Sequence, residues 1–168
     1  MEKKKYDVAI SFAEEDRNIA AALECGLELL KIKAYYYPEK SSETIGYNLN
    51  DVLPRLYKDE AHYAVIILSE HYPKKKFCQV ELKAISERMK SQQDRYLVIV
   101  KTDETLPEDI ELSNDLVYVM WEHNPKKLAE SLASMLGKRL PDKERKATES
   151  YQAKNIITKS NFHGTTFY

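Results

Sequence analysis

HYAVIILS, residues 62–69, is apolar at both alternating sets of positions. In an extended chain successive side chains point to opposite faces, so a run with no polar side needs cover above and below. RYLVIV, residues 95–100, has the same character. Between them, residues 77–89 carry apolar side chains at helical spacing, which predicts a crossover helix joining two parallel strands. Working toward the N-terminus, YDVAISF (residues 6–12) reads as a first strand ending in the polar cluster 13–16, and Ile19, Leu23, Leu27 and Leu30 outline a helix after it. Acidic Glu14 to Asp16 suit the start of that helix, where they complement its dipole. IKAYYY (residues 32–37) predicts a second strand stopped by Pro38, and residues 39–48 have the polar, glycine-containing composition of a long loop.

Leu49, Leu53, Leu56 and Tyr57 outline a second helix, in which Pro54 is tolerable only in or near the first turn. Toward the C-terminus a weaker strand, residues 116–121, and a last helix, residues 125–136, complete five alternations of strand and helix. That pattern predicts an α/β fold: a flavodoxin-like, doubly wound, five-stranded parallel sheet with helices on both faces. After Gly137 the chain becomes dense in charge and loses its periodicity. Residues 1–137 therefore read as one domain and 138–168 as a charged extension or linker, which could equally lead to a domain absent from this chain.

The chain has 168 residues, 43% hydrophobic and 32% charged, with four glycines and six prolines, the profile of a folded, helix-containing soluble protein. A net charge of −1 supplies no basic field for nucleic acid, which is not an expected partner. Cys25 and Cys78 lack the spacing of a zinc site, so no metal is expected and both read as packing residues in a reducing compartment. No apolar run reaches the roughly 18 to 20 residues of a membrane span, and the N-terminus has no signal-peptide pattern. The expected location is cytoplasmic, away from membranes.

In open α/β sheets, ligands bind beyond the carboxyl ends of the strands where strand order reverses. Function should then lie in residues 12–17, 38–47 and 69–81. SFAEEDR after the first strand contains no glycine, which excludes a P-loop or a dinucleotide-binding GxGxxG turn. Within the third loop and its helix, FCQVELKAI places Phe77, Glu81 and Ile85 one above another, so a carboxylate shares a stripe with a ring and an isoleucine. Taken alone, Glu81 also fits an ordinary solvated helix glutamate, Phe77 a core residue, and Arg17 a surface charge.

Taken together, these residues resemble the TIR (Toll/interleukin-1 receptor) domain. YDVAISF is similar to the family's first box, and SEHYPKKKFCQVEL, residues 69–82, is similar to its SxxYAxSxWCLxEL pattern, with serine, tyrosine, cysteine, glutamate and leucine in register. Trp121 stands where the family often has an aromatic third box. Phe77 replaces the usual tryptophan, and Pro73 a small residue. The loop holding Gly46 resembles the family's BB loop, and a phospho-receiver alternative lacks its aspartate, since Ser69 ends the third strand.

The resemblance implies cleavage of NAD, as substrate and without a cofactor, at the bond between nicotinamide and ribose. Nicotinamide leaves as a neutral base from a cationic linkage, so no acid is needed to protonate it. Glu81 would be the catalytic group, holding ribose hydroxyls and stabilising the oxocarbenium-like transition state. Phe12, Tyr37 and Phe77 would stack on rings of the substrate, Arg17 would pair with its pyrophosphate, and Gly46 would shape the loop over it. The expected products are nicotinamide and either ADP-ribose or a cyclic isomer. Self-association, a sensor or effector partner and a bacterial antiviral role follow from the same resemblance. The alternative is a non-catalytic adaptor that signals through TIR–TIR contacts, in which Glu81 is dispensable.

Overall fold

The computed structural model describes residues 3–36, 46–92, 96–113 and 116–137. Five strands, β1 (Tyr6–Ser11), β2 (Ala34–Tyr35), β3 (Ala61–Leu68), β4 (Leu97–Lys101) and β5 (Tyr118–Met120), form one sheet in the order β2-β1-β3-β4-β5. Every pairing is parallel, with Ala9 opposite Ala64 and Ile66 opposite Ile99. This is the flavodoxin-like order, and it reverses between β1 and β3.

Among the described residues, four helices cover the sheet: α1 (Arg17–Leu29), α2 (Leu49–Arg55), α3 (Lys76–Gln92) and α4 (Pro125–Gly137). Alternation within the strands divides the core. Val8, Ile10, Val65, Ile67, Val98 and Val100 pack under α1 and α4 with Leu23, Leu27 and Leu132. Ala9, Ala64, Ile66, Leu68 and Ile99 pack on the opposite side with Leu53, Tyr57 and Ile85. The polar faces that ordinary strands show are thus missing from β3, as its sequence requires. α1 and α4 approach so closely that a Cβ on Gly26 would lie 2.7 Å from the Cβ of Ala129.

Several expectations are corrected. The second strand pairs only at Ala34 and Tyr35, and Tyr37 lies outside the described residues. The fifth strand is confined to Tyr118–Met120 at the sheet edge, where one neighbour gives it little to pair with. Between β4 and β5 there is a 3₁₀ turn, Pro107–Ile110, in place of a full helix, because that segment offers little beyond Pro107, Ile110 and Leu112 to bury. Pro54 sits inside α2, past the first turn, and the helix widens directly afterwards into a π-helical turn, Leu56–Glu60. A proline there withdraws one donor from the ladder, which favours the looser turn. Asp16 precedes α1 without capping it: its buried carboxylate accepts a hydrogen bond from the Ser69 hydroxyl at 2.5 Å, tying the end of β1 to the end of β3. Cys25 is exposed on α1, so packing describes Cys78 alone. No helix among the described residues is long and apolar enough to cross a membrane.

Candidate active site

β1 ends at Ser11, fully buried at the switch point between β1 and β3. α3 begins after the short turn Tyr72–Lys74 and runs back across the same face, so its buried side, Cys78, Glu81, Ala84, Ile85 and Arg88, follows the i, i+3, i+4, i+7 spacing of a helix stripe. Glu81 therefore enters the core beside the tip of β1. It is 9% exposed, enough to open onto one cavity.

A carboxylate in such a place loses most of its hydration, and burial pushes the pKa of Glu81 up to about 7. Two hydroxyls oppose that rise by bonding to the charged form: Ser11 from β1, and Tyr57 from the π-helical turn, whose Oη donates to Glu81 Oε2. Ser11 Oγ in turn lies 2.6 Å from Tyr72 Oη. Tyr57 and Tyr72 are fully buried, and desolvation raises both phenols well above their ordinary range, so each stays a neutral hydroxyl. The carboxylate sits in a ring of hydroxyls inside an otherwise apolar wall.

The cavity in front of it measures about 220 Å³ and is walled by Phe12, Leu53, Lys75, Phe77 and Cys78 among others. Phe12 is half-buried and stacks on Tyr36, with ring centroids 5.4 Å apart and planes 20° apart. Phe77 stands at the rim, 44% exposed, one turn outward from Glu81. Cys78 donates to the Phe12 carbonyl at 3.3 Å, and burial raises its thiol pKa, which leaves it a packing residue. Lys75 at the mouth pairs with Glu15 at 2.5 Å, joining the start of α3 to the loop after β1.

The cavity thus brings together Glu81, Phe12 and Phe77, while Arg17 and Gly46 are not among the described residues that line it. Arg17 pairs with Glu14 at 2.6 Å on the surface and does not line the cavity. Gly46, at φ +85°, makes the turn before α2 in a conformation that suits glycine, with open space around it, and is also off the cavity wall. Tyr37 lies outside the described residues. Sequence reasoning missed Ser11, Tyr57 and Tyr72, which it absorbed into a strand, a helix and a motif. Only the position of Ser11 at the carboxyl end of a strand carried a signal. A larger groove, about 810 Å³, runs between α3 and residues 109–113 with Leu116, but its charged residues, among them Lys83, Glu87 and Glu111, are all exposed. It offers no desolvated titratable group, so the smaller cavity is the better candidate.

A parallel sheet of this order with a cleft at its switch point belongs to the doubly wound α/β modules. Within that class, the sequence pattern of the TIR domain matches residues 8–136, and the chain belongs to the TIR family. It is 29% identical over 101 residues to the 3′ cyclic ADP-D-ribose synthase AaTIR of Aquimarina amphilecti, a match that covers 60% of this chain and 31% of that protein. The chain thus spans about a third of that relative's length. Among solved structures it resembles the TIR domain of the Toll-related receptor TRR-2 of Hydra magnipapillata, with a TM-score of 0.61, 18% identity, and coverage of 78% of this chain and 98% of that one. This second likeness concerns the fold alone.

Proposed function

We propose that the protein cleaves NAD between nicotinamide and ribose, with Glu81 as the catalytic carboxylate. The observation that carries this reading is the desolvated Glu81 carboxylate, held by hydroxyls at the inner end of a cavity beside the tip of β1. In a medium of low dielectric, a fixed negative charge acts strongly on a developing cation and needs no solvent rearrangement as the bond breaks. The pyridinium linkage already carries the positive charge and nicotinamide departs neutral, so one carboxylate meets the need: it stabilises the ribosyl cation and accepts hydrogen bonds from ribose hydroxyls. The family and the synthase named above support the choice of NAD.

Pockets that enclose a drug-sized ligand measure about 300 to 1,000 Å³. A cavity of about 220 Å³ suits one end of a dinucleotide, the nicotinamide and its ribose, with Phe12 and Phe77 as ring contacts and the rest outside the mouth. Capture of the cation by water gives ADP-ribose, and capture by a nucleophile on the adenosine half gives a cyclic isomer. Arg17, Tyr37 and Gly46 remain proposals for the outer part of the substrate. Self-association, a sensor or effector partner, a cytoplasmic location and a role in bacterial antiviral immunity rest on the resemblance to stand-alone bacterial TIR proteins.

The test is nicotinamide release from NAD by the intact protein at high concentration, beside Glu81→Gln, which keeps the shape and removes the charge. A loss on the order of 100-fold or more is expected from removing such a stabiliser. Equal rates in the two proteins would reject the reading.

A further inference from the structure

Glu81 and Arg88 lie two turns apart on the same buried face of α3, and Tyr57 touches both. Its phenol donates to the Glu81 carboxylate, while its backbone carbonyl accepts from Arg88 Nη1 at 3.1 Å and from Tyr96 Oη at 2.5 Å. Arg88 is 4% exposed and also donates to the carbonyls of Ala61, at 2.6 Å, and His62, at 3.1 Å. Its guanidinium lies 3.8 Å over the Tyr96 ring, and its Nε reaches Gln92. A buried guanidinium is costly unless its donors are used, and these are spent on the stretch of backbone that leaves the π-helical turn and enters β3. That turn departs from the ordinary i→i−4 helical ladder, and the clamp ties it to α3.

Resting on the assignment of Glu81 to catalysis, we propose that Tyr57 is a positioning residue for the Glu81 carboxylate, and that the clamp of Arg88 and Tyr96 acts on the reaction through it. The Tyr57 ring is packed in the core and its carbonyl is held from two sides, which leaves the hydroxyl one direction, toward Glu81 Oε2. That oxygen is thereby occupied, on a carboxylate that lines the cavity. The donor also favours the anion over the neutral acid.

Other groups face Glu81 from each element around it. Ser11 on β1 donates to it, and Tyr72, from the turn before α3, backs Ser11. Cys78 neighbours it on α3, and Tyr35 of β2 shares the cavity wall. Glu14, Lys75 and Lys76 stand at the mouth. Cys78 and Tyr72, like Tyr57, are held neutral by burial, so among the described residues Tyr57 and Ser11 are the donors that favour the charged form of Glu81.

The test is Tyr57→Phe, which keeps the ring and removes the hydroxyl. Carboxyl carbon NMR of the ligand-free protein, with the Glu81 signal assigned by its loss in Glu81→Gln, should show the Glu81 titration moving up by about one pH unit or more, the worth of a hydrogen bond to a charged group. The rising limb of nicotinamide release against pH should move up with it. Tyr96→Phe, which loosens the clamp but leaves the Tyr57 hydroxyl, should give a smaller shift of the same sign, and it decides the matter if Tyr57→Phe does not fold. An unmoved titration, or a moved titration with an unmoved rate profile, overturns the proposal. If the wild-type protein releases no nicotinamide, the proposed function fails, and the NMR titration still decides whether Tyr57 governs the carboxylate.

Discussion

Glu81 is where burial and hydrogen bonding compete most directly. Desolvation raises its pKa from 4.5 to about 7 even though Tyr57 and Ser11 favour the anion. The folded protein therefore binds a proton that the unfolded chain has released over that interval, and stability falls as pH rises from about 4.5 to about 7. The full effect is about 3 kcal/mol. Glu81→Gln has nothing to ionise, so it should be more heat-stable than wild type at about pH 8, by roughly 10 °C for a domain of this size, with the difference shrinking toward about pH 5. Thermal unfolding followed by circular dichroism at the two pH values checks this. Glu81 was legible in the sequence because its motif marked it. Its partners were not, since Tyr57 and Ser11 meet it only through tertiary packing, and neither spacing nor residue type announces a hydroxyl aimed at a carboxylate 24 positions away.

Helix α3 and the π-helical turn form one unit, with Arg88 as the joint. Arg88→Met should leave the buried carbonyls of Tyr57 and Ala61 short of donors and cost about 3 kcal/mol, read from chemical denaturation as a lower midpoint at unchanged slope. On the other face, Gly26→Ala gains helix propensity but meets Ala129, and overpacking of this kind costs about 1 to 3 kcal/mol against the roughly 1 kcal/mol gained. The single variant should be destabilised, and adding Ala129→Gly should recover the loss, as a double-mutant cycle would show. The alternation that separates Val65 and Ile67 from Ile66 and Leu68 was readable, because it depends on nothing beyond the chain direction. The two-residue β2 and the helix that carries Pro54 were not, because neighbouring elements settle their lengths. Proline inside α2 is accommodated by the turn after it, a compensation that local propensity does not contain.

At the scale of the molecule, the strand order puts the tip of β1 beside β3, and the crossover helix that follows β3 delivers Glu81 to that tip. The place of the cleft follows from connectivity alone, which is why the sequence of strands and helices points to it. Because the family match and the last helix end together, at residues 136 and 137, a protein ending at residue 137 should keep its unfolding temperature within a few degrees and keep nicotinamide release. Loss of either would move the functional boundary into residues 138–168.

The most direct test of the central claim, that an ionised, desolvated Glu81 carries the reaction, is the rate of nicotinamide release by wild-type protein between about pH 5.5 and about pH 9. The carboxylate works only as the anion, so the rate should climb close to tenfold per pH unit well below its pKa, bend at about 7 and stay level above. A rate that is the same at both ends of the range, or that falls as pH rises, would contradict the assignment.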